Sequence, residues 1–107
     1  MLKNFQSSTD SSVEVVYTAT SDTAVTTMFL YNPNASNTML IQIYLVPVAD
    51  TASVQSKHIV LTYTLDPQET VTFDTEKLVL SNGDTIRALS SSAGSAGLAI
   101  NLSLVVL

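Results

Sequence analysis

Residues 98–107 read LAINLSLVVL, and the alternation in this stretch decides the fold class. Leu98, Ile100, Leu102, Leu104 and Val106 fall on one side of an extended chain, while Ala99, Asn101 and Ser103 take the other. A period of two belongs to a half-buried strand; an amphipathic helix repeats its apolar residues every three to four positions. The same period recurs upstream. Residues 84–90 (DTIRALS), 69–74 (ETVTFD) and 58–65 (HIVLTYTL) alternate, the last with Ile59, Leu61, Tyr63 and Leu65 in phase. Residues 38–48 place Met39, Ile41, Ile43 and Leu45 on one face, and residues 12–20 do so with Val13, Val15 and Tyr17. Residues 24–32 (AVTTMFLYN) are apolar on both sides at the centre, as in a strand covered on both faces.

With the short apolar segment 77–81, this makes seven or eight strands, and no window carries a helical period. The Thr, Val, Ile and Tyr content agrees with strand propensity. An all-β fold follows: an antiparallel, jelly-roll-like β-sandwich whose two sheets bury their alternating faces against each other. Its 107 residues fit one domain. Residues 13–107 are expected to form the sandwich. Residues 1–12 (MLKNFQSSTDSS) are expected to form an extended N-terminal arm, whose apolar beads Leu2 and Phe5, with Lys3 between them, dock on a neighbouring subunit.

Composition narrows the functions. There are no cysteines, so disulfides and thiolate metal sites are out of reach. Four basic and nine acidic residues give a net charge of −5. The bases Lys3, Lys57, Lys77 and Arg87 are scattered, which argues against a nucleic-acid partner. The start of the chain has no apolar leader, and the longest apolar run, 39–48, is too short to span a bilayer as a helix. The chain is therefore expected to be soluble. Its 14 Thr and 14 Ser make the polar surface one of hydroxyls more than charges.

The stretch TEKLVLSNGDTIRA (75–88) concentrates charge around Asn82-Gly83-Asp84. Asn-Gly is a strong hairpin signal, and a calcium loop would need more oxygen ligands than Asp84 supplies near the glycine. These three residues are thus expected to form a structural turn. His58 is the single histidine; with no nucleophile motif beside it, it reads as a surface residue at a strand end. Asp66, Glu69, Asp74 and Glu76 read as turn and solubility residues, since their spacing does not place two carboxylates across a substrate. Tyr17, Tyr31, Tyr44 and Tyr63 all lie in strands, for packing or as a sugar platform. Asn34-Ala35-Ser36 and Asn101-Leu102-Ser103 match the glycosylation tripeptide, as a Ser-rich chain does by chance. No catalytic residue, metal ligand or cofactor site is expected.

Two segments carry a resemblance. Val25, Thr26 and Met28, then Tyr44, Leu45, Val46 and Pro47, and later Glu76, Lys77, Leu78, Leu80, Gly83, Asp84 and Ile86 resemble small virion structural proteins of tailed bacteriophages. The likeness spans most of residues 24–90, and its motifs belong to the scaffold. It implies a non-enzymatic β-sandwich made in the bacterial cytoplasm and carried on the virion. The leading expectation is a capsid decoration (cement) protein, a homodimer or homotrimer bound to the major capsid protein on the outside of the head. A tail, neck or fibre-associated protein is the alternative within that class, and a carbohydrate-binding or adhesion module the alternative outside it.

Overall fold

The structure is a computed structural model that describes residues 1–7, 12–73, 78–91 and 97–107. Residues 92–96 of the predicted small-residue loop, the acids Asp74 and Glu76, Lys77 and most of the polar half of the predicted arm fall outside the described residues. Nine strands form among the described residues: β1 (Leu2–Gln6), β2 (Glu14–Thr18), β3 (Thr23–Tyr31), β4 (Met39–Val46), β5 (Ile59–Leu65), β6 (Thr70–Phe73), β7 (Leu78–Leu80), β8 (Thr85–Ser90) and β9 (Ala99–Val106). The six alternating segments, the doubly apolar 24–32 and the short apolar 77–81 each contain a strand. The ninth, β1, comes from the predicted arm.

The strands make two antiparallel sheets. One runs β1-β9-β3-β6, with β7 also on β3; the other runs β2-β8-β4-β5. β6 and β7 lie end to end along β3, Thr70–Phe73 beside Met28–Tyr31 and Leu78–Leu80 beside Thr23–Val25. Counted as one interrupted strand, they give the strand order of a jelly roll: first, eighth, third and sixth in one sheet, second, seventh, fourth and fifth in the other. The sandwich expected from the period-two pattern is therefore present. None of the described residues forms a helix long and apolar enough to cross a membrane.

The core lies between the sheets and is built largely from the in-phase residues. On β2 the expectation is corrected, since a bulge between Val15 and Tyr17 buries Val16 and leaves Val13 and Val15 exposed. Val106 is exposed at the end of β9. Ile100, Leu102 and Leu104 of β9 face Met39, Ile41 and Ile43 of β4, and all are at most 1% exposed. Burying each such side chain stabilises by about 1.5–3 kcal/mol, so the alternation supplies most of the driving force.

Except for β4–β5 and β6–β7, every connection carries the chain from one sheet to the other. Such corners have no ladder for their backbone groups, and side chains step in. At one end Asn32 is fully buried. Its amide nitrogen donates to the carbonyls of Asn37 (2.9 Å), Asp66 (3.1 Å) and Leu65 (3.3 Å). Its carbonyl oxygen accepts from the backbone and side chain of Asn34 (3.0 and 2.9 Å). One side chain thus ties the β3–β4 corner to the β5–β6 corner. The latter is a tight turn with Pro67 second and Gln68 third at φ 59°, closed by Glu69 N–H donating to the Asp66 carbonyl (3.1 Å).

At the other end sits the Asn82-Gly83-Asp84 turn. Gly83 has φ +93° and Asn82 does not have a positive φ, which is the type II arrangement. The turn is structural, as its composition indicated, but it joins no hairpin: β7 and β8 belong to different sheets. What fixes it is docking. Gly83 N–H donates to the Ala19 carbonyl (2.7 Å), and Ala19 N–H donates to the Asp84 carbonyl (2.9 Å). The Asp84 carboxylate accepts from the backbone of Ser81 and of Val48, each at 2.9 Å.

The Asn32 clamp gives a direct test. Asn32→Asp turns a donor that serves three carbonyls into a buried acid facing them, so unfolding free energy in urea should fall by about 3 kcal/mol or more. An unchanged urea midpoint would show that the corners hold without the clamp.

Candidate interaction surface

The two sheets differ in what covers their outer faces. On the β2-β8-β4-β5 sheet, Tyr44 and Arg87 are outward neighbours across β4 and β8. Arg87 donates to the Thr51 carbonyl (3.4 Å), and Tyr44 is only 7% exposed. The long β4–β5 loop thus folds back over the Tyr44–Arg87 part of this face, while Val15, Leu40 and Val60 farther out stay exposed. His58 anchors the loop. Its Nδ1 accepts from the Gln55 N–H (2.9 Å), and its Nε2 lies 3.1 Å from Asp50 Oδ2. Nδ1 must then be unprotonated, so Nε2–H donates to the carboxylate. Lys57 flanks the same oxygen at 3.7 Å.

The expectation of a surface histidine is corrected: His58 is 5% exposed, because the loop closes over it. With one ring nitrogen accepting from the backbone and the other donating to Asp50, the ring has no lone pair left to serve as a base for a nucleophile. The His58 hydrogen bond, aided by Lys57, holds the Asp50 carboxyl below its ordinary value of 3.8.

The other outer face, on β1-β9-β3-β6, is bare. The register places its side chains in rows across the strands. Gln6, Ala99, Tyr31 and Thr70 form the first row, and Asn4, Asn101, Phe29 and Thr72 the second. Leu2, Ser103 and Thr27 make the third; Val105, Ala24 and Val79 the fourth. No described side chain in these rows carries charge. Four of its apolar groups stand well out: Leu2 (79% exposed), Val79 (67%), Val105 (49%) and Phe29 (41%). Asn4 donates its side-chain amide to Asn101 Oδ1. Above the small Ala99 lies an open groove of about 350 Å³, bordered by Asn4, Gln6 and Asn101. Contiguous exposed apolar groups on a sheet face mark a place where another surface sits.

The predicted interface residues divide. Leu2 belongs to the bare face. Phe5 does not: β1 pairs with β9 of the same chain, and Phe5 packs against the core beside Ile100. Leu2–Gln6 is extended as expected, yet it lies in its own sheet, because β9 offers it an edge and the core takes its ring. Lys3 shares the inward side of β1 with Phe5 but is exposed at the sheet edge. The strand end is fixed where Ser7 N–H donates to the Leu98 carbonyl (2.9 Å) and Ser7 Oγ meets Ser90 Oγ (3.0 Å). Gly97 is required there, since a Cβ would strike the Ser7 carbonyl oxygen.

The remaining candidates are structural. Glu69 accepts from the Asp66 N–H (2.8 Å), completing its own turn. The tyrosines do not form one platform: Tyr31 and Tyr44 lie on opposite outer faces, Tyr17 packs against the core and Tyr63 lies at a rim. A cavity of about 410 Å³ opens between the sheets near β5 and β7, and its described lining, including Met28, Ile43, Phe73 and Leu78, has no polar side chain to orient a substrate. No group of three or more metal-ligating side chains occurs among the described residues. No protein-family model matches the chain, and no curated protein is significantly similar to it.

Two outcomes test this account. Gly97→Val should unseat β1, which would appear as fast amide hydrogen exchange confined to residues 2–7; protection equal to that of the parent would sink the packing argument. The Asp50 contact acts with a defined sign. Its stabilisation of the loop is complete above pH 3.8 and is lost as pH falls through the lower folded value. Asp50→Asn should therefore loosen the Gln55 amide at neutral pH and abolish its acid dependence.

Proposed function

We propose that this chain is a non-enzymatic virion structural protein, a capsid decoration (cement) protein that sits on the outside of a tailed-phage head and stabilises joints between major capsid subunits. The observation that carries the reading is the bare outer face of the β1-β9-β3-β6 sheet, whose described rows hold no charged side chain. Such rows have little to steer a substrate and much to gain from burial against protein. The jelly roll is a recurrent architecture of viral shell domains and of lectins, and a fold by itself assigns no function. The supporting points are local: the one histidine is consumed with Asp50 in holding a loop, and Glu69 and Asp84 close turns. The scaffold motifs at Val25–Met28, Tyr44–Pro47 and Glu76–Ile86 add the resemblance to phage virion proteins. A tail or neck position fits the same face and the same motifs.

Quantitative mass spectrometry of purified particles from the phage that encodes the chain separates these positions. On the order of hundreds of copies per particle supports decoration of the head, whereas about a dozen or fewer assigns the chain to the tail or neck. Absence from washed particles overturns the proposal.

A further inference from the structure

We infer that the bare face of the β1-β9-β3-β6 sheet is a self-association surface, on which a second copy of this chain packs about a two-fold axis running along the strands between β9 and β3. The inference deepens the proposed function and rests on its reading of the face as an interface, though not on the presence of a virion. Three observations select a second copy as the occupant.

The first is charge. The chain carries −5, and among the described acids only Asp22 borders this face, one register step beyond Ala24. Glu14 lies on the other sheet, and Asp50, Asp66, Glu69 and Asp84 lie in the connections. Two identical acidic chains meet with least repulsion where neither presents a charge. A partner of opposite charge would be drawn to the acids and not to this face.

The second is shape. Across the two central strands large residues stand opposite small ones, and the order reverses along the strands: Ala99 beside Tyr31 at one end, Val105 beside Ala24 at the other. A two-fold axis between β9 and β3 lays each strand over its counterpart's neighbour. Tyr31 of one copy then enters the groove above Ala99 of the other, and Val105 covers Ala24. Large groups meet small ones in both rows, which is the self-complementarity an isologous interface needs.

The third is extent. Four strands at about 4.8 Å spacing and eight residues at about 3.3 Å each span a projected area of roughly 500 Å². Side-chain relief adds to that, bringing it near the roughly 800 Å² per partner of a standard interface.

Sedimentation equilibrium on the purified chain tests this directly. The expected species has twice the 11.4 kDa mass of one chain. In the proposed pair Ser103 sits over Thr27 of the other copy. Ser103→Asp buries an unpaired acid there and should weaken association about 100-fold. An equal mixture with Thr27→Lys should restore the pair by matching the charges. Ala99→Phe, which fills the groove without adding charge, should also dissociate it, and circular dichroism should show both variants folded. The inference is overturned by a wild-type chain that stays monomeric at high concentration, by a trimer, or by a dimer indifferent to both variants. It is equally overturned by a monomer whose groove takes a neutral oligosaccharide. A monomer found on particles overturns this inference alone, while a dimer absent from particles overturns only the proposed function.

Discussion

The structure depends on satisfying the backbone where it changes sheets. A jelly roll gains its core by sending the chain back and forth between two layers, and each passage strips a few residues of ladder partners. A buried corner left unsatisfied would cost about as much as one core side chain contributes. Asn32 and Asp84 resolve this at opposite ends of the sandwich, each by serving two segments at once. Asn32 joins the β3–β4 and β5–β6 corners, and Asp84 joins the β7–β8 turn to the start of the β4–β5 loop. The alternating apolar residues can meet only if these corners hold their register, because a slip of one residue would turn every core side chain outward.

That framework explains why the two outer faces differ. The one connection that returns within the β2-β8-β4-β5 sheet is long, and it folds over its own sheet, held by Arg87 and by the His58–Asp50 contact. Among the described residues the opposite sheet has no such cover, and its outward Phe29, Val79 and Val105 stand exposed. Its outer residues are Thr, Asn, Gln, Ser and a few apolar groups, so nothing on it resists burial against a second surface. The asymmetry links the fold to the proposed role.

Much of this was legible in the sequence because a period of two is local. Ile100, Leu102 and Leu104 announce both their strand and their face, and Asn82-Gly83 announces a turn. What the turn connects was not legible, since Gly83 states a backbone angle and says nothing of which sheet receives the next strand. His58 looked exposed for a similar reason: its burial comes from a loop folding back, a contact no neighbouring residue encodes. β1 was expected to dock on a neighbouring subunit because Leu2 and Phe5, spaced by polar residues, have no local element in which to bury themselves. The structure puts them on opposite faces, one outside and one in the core. The bare face left a trace that needs the register to be seen. The outward positions of β3 and β9 lack Asp, Glu, Lys and Arg, although acids flank these strands elsewhere.

The edges of the sandwich bear on how such a chain joins others. An unpaired edge invites strand addition, and strand addition between identical chains propagates without closing. Here β1 carries Lys3 on its inward side, where a strand added alongside would have to accommodate the charge, and β2 is bulged between Val15 and Tyr17. Both devices spoil a regular ladder. The flat face has no such guard. An association directed to a face whose large and small residues are self-matched closes after two copies, whereas one directed to an edge would continue. Two blunted edges, β1 and β2, beside an open face therefore favour association through the face over strand addition at those edges.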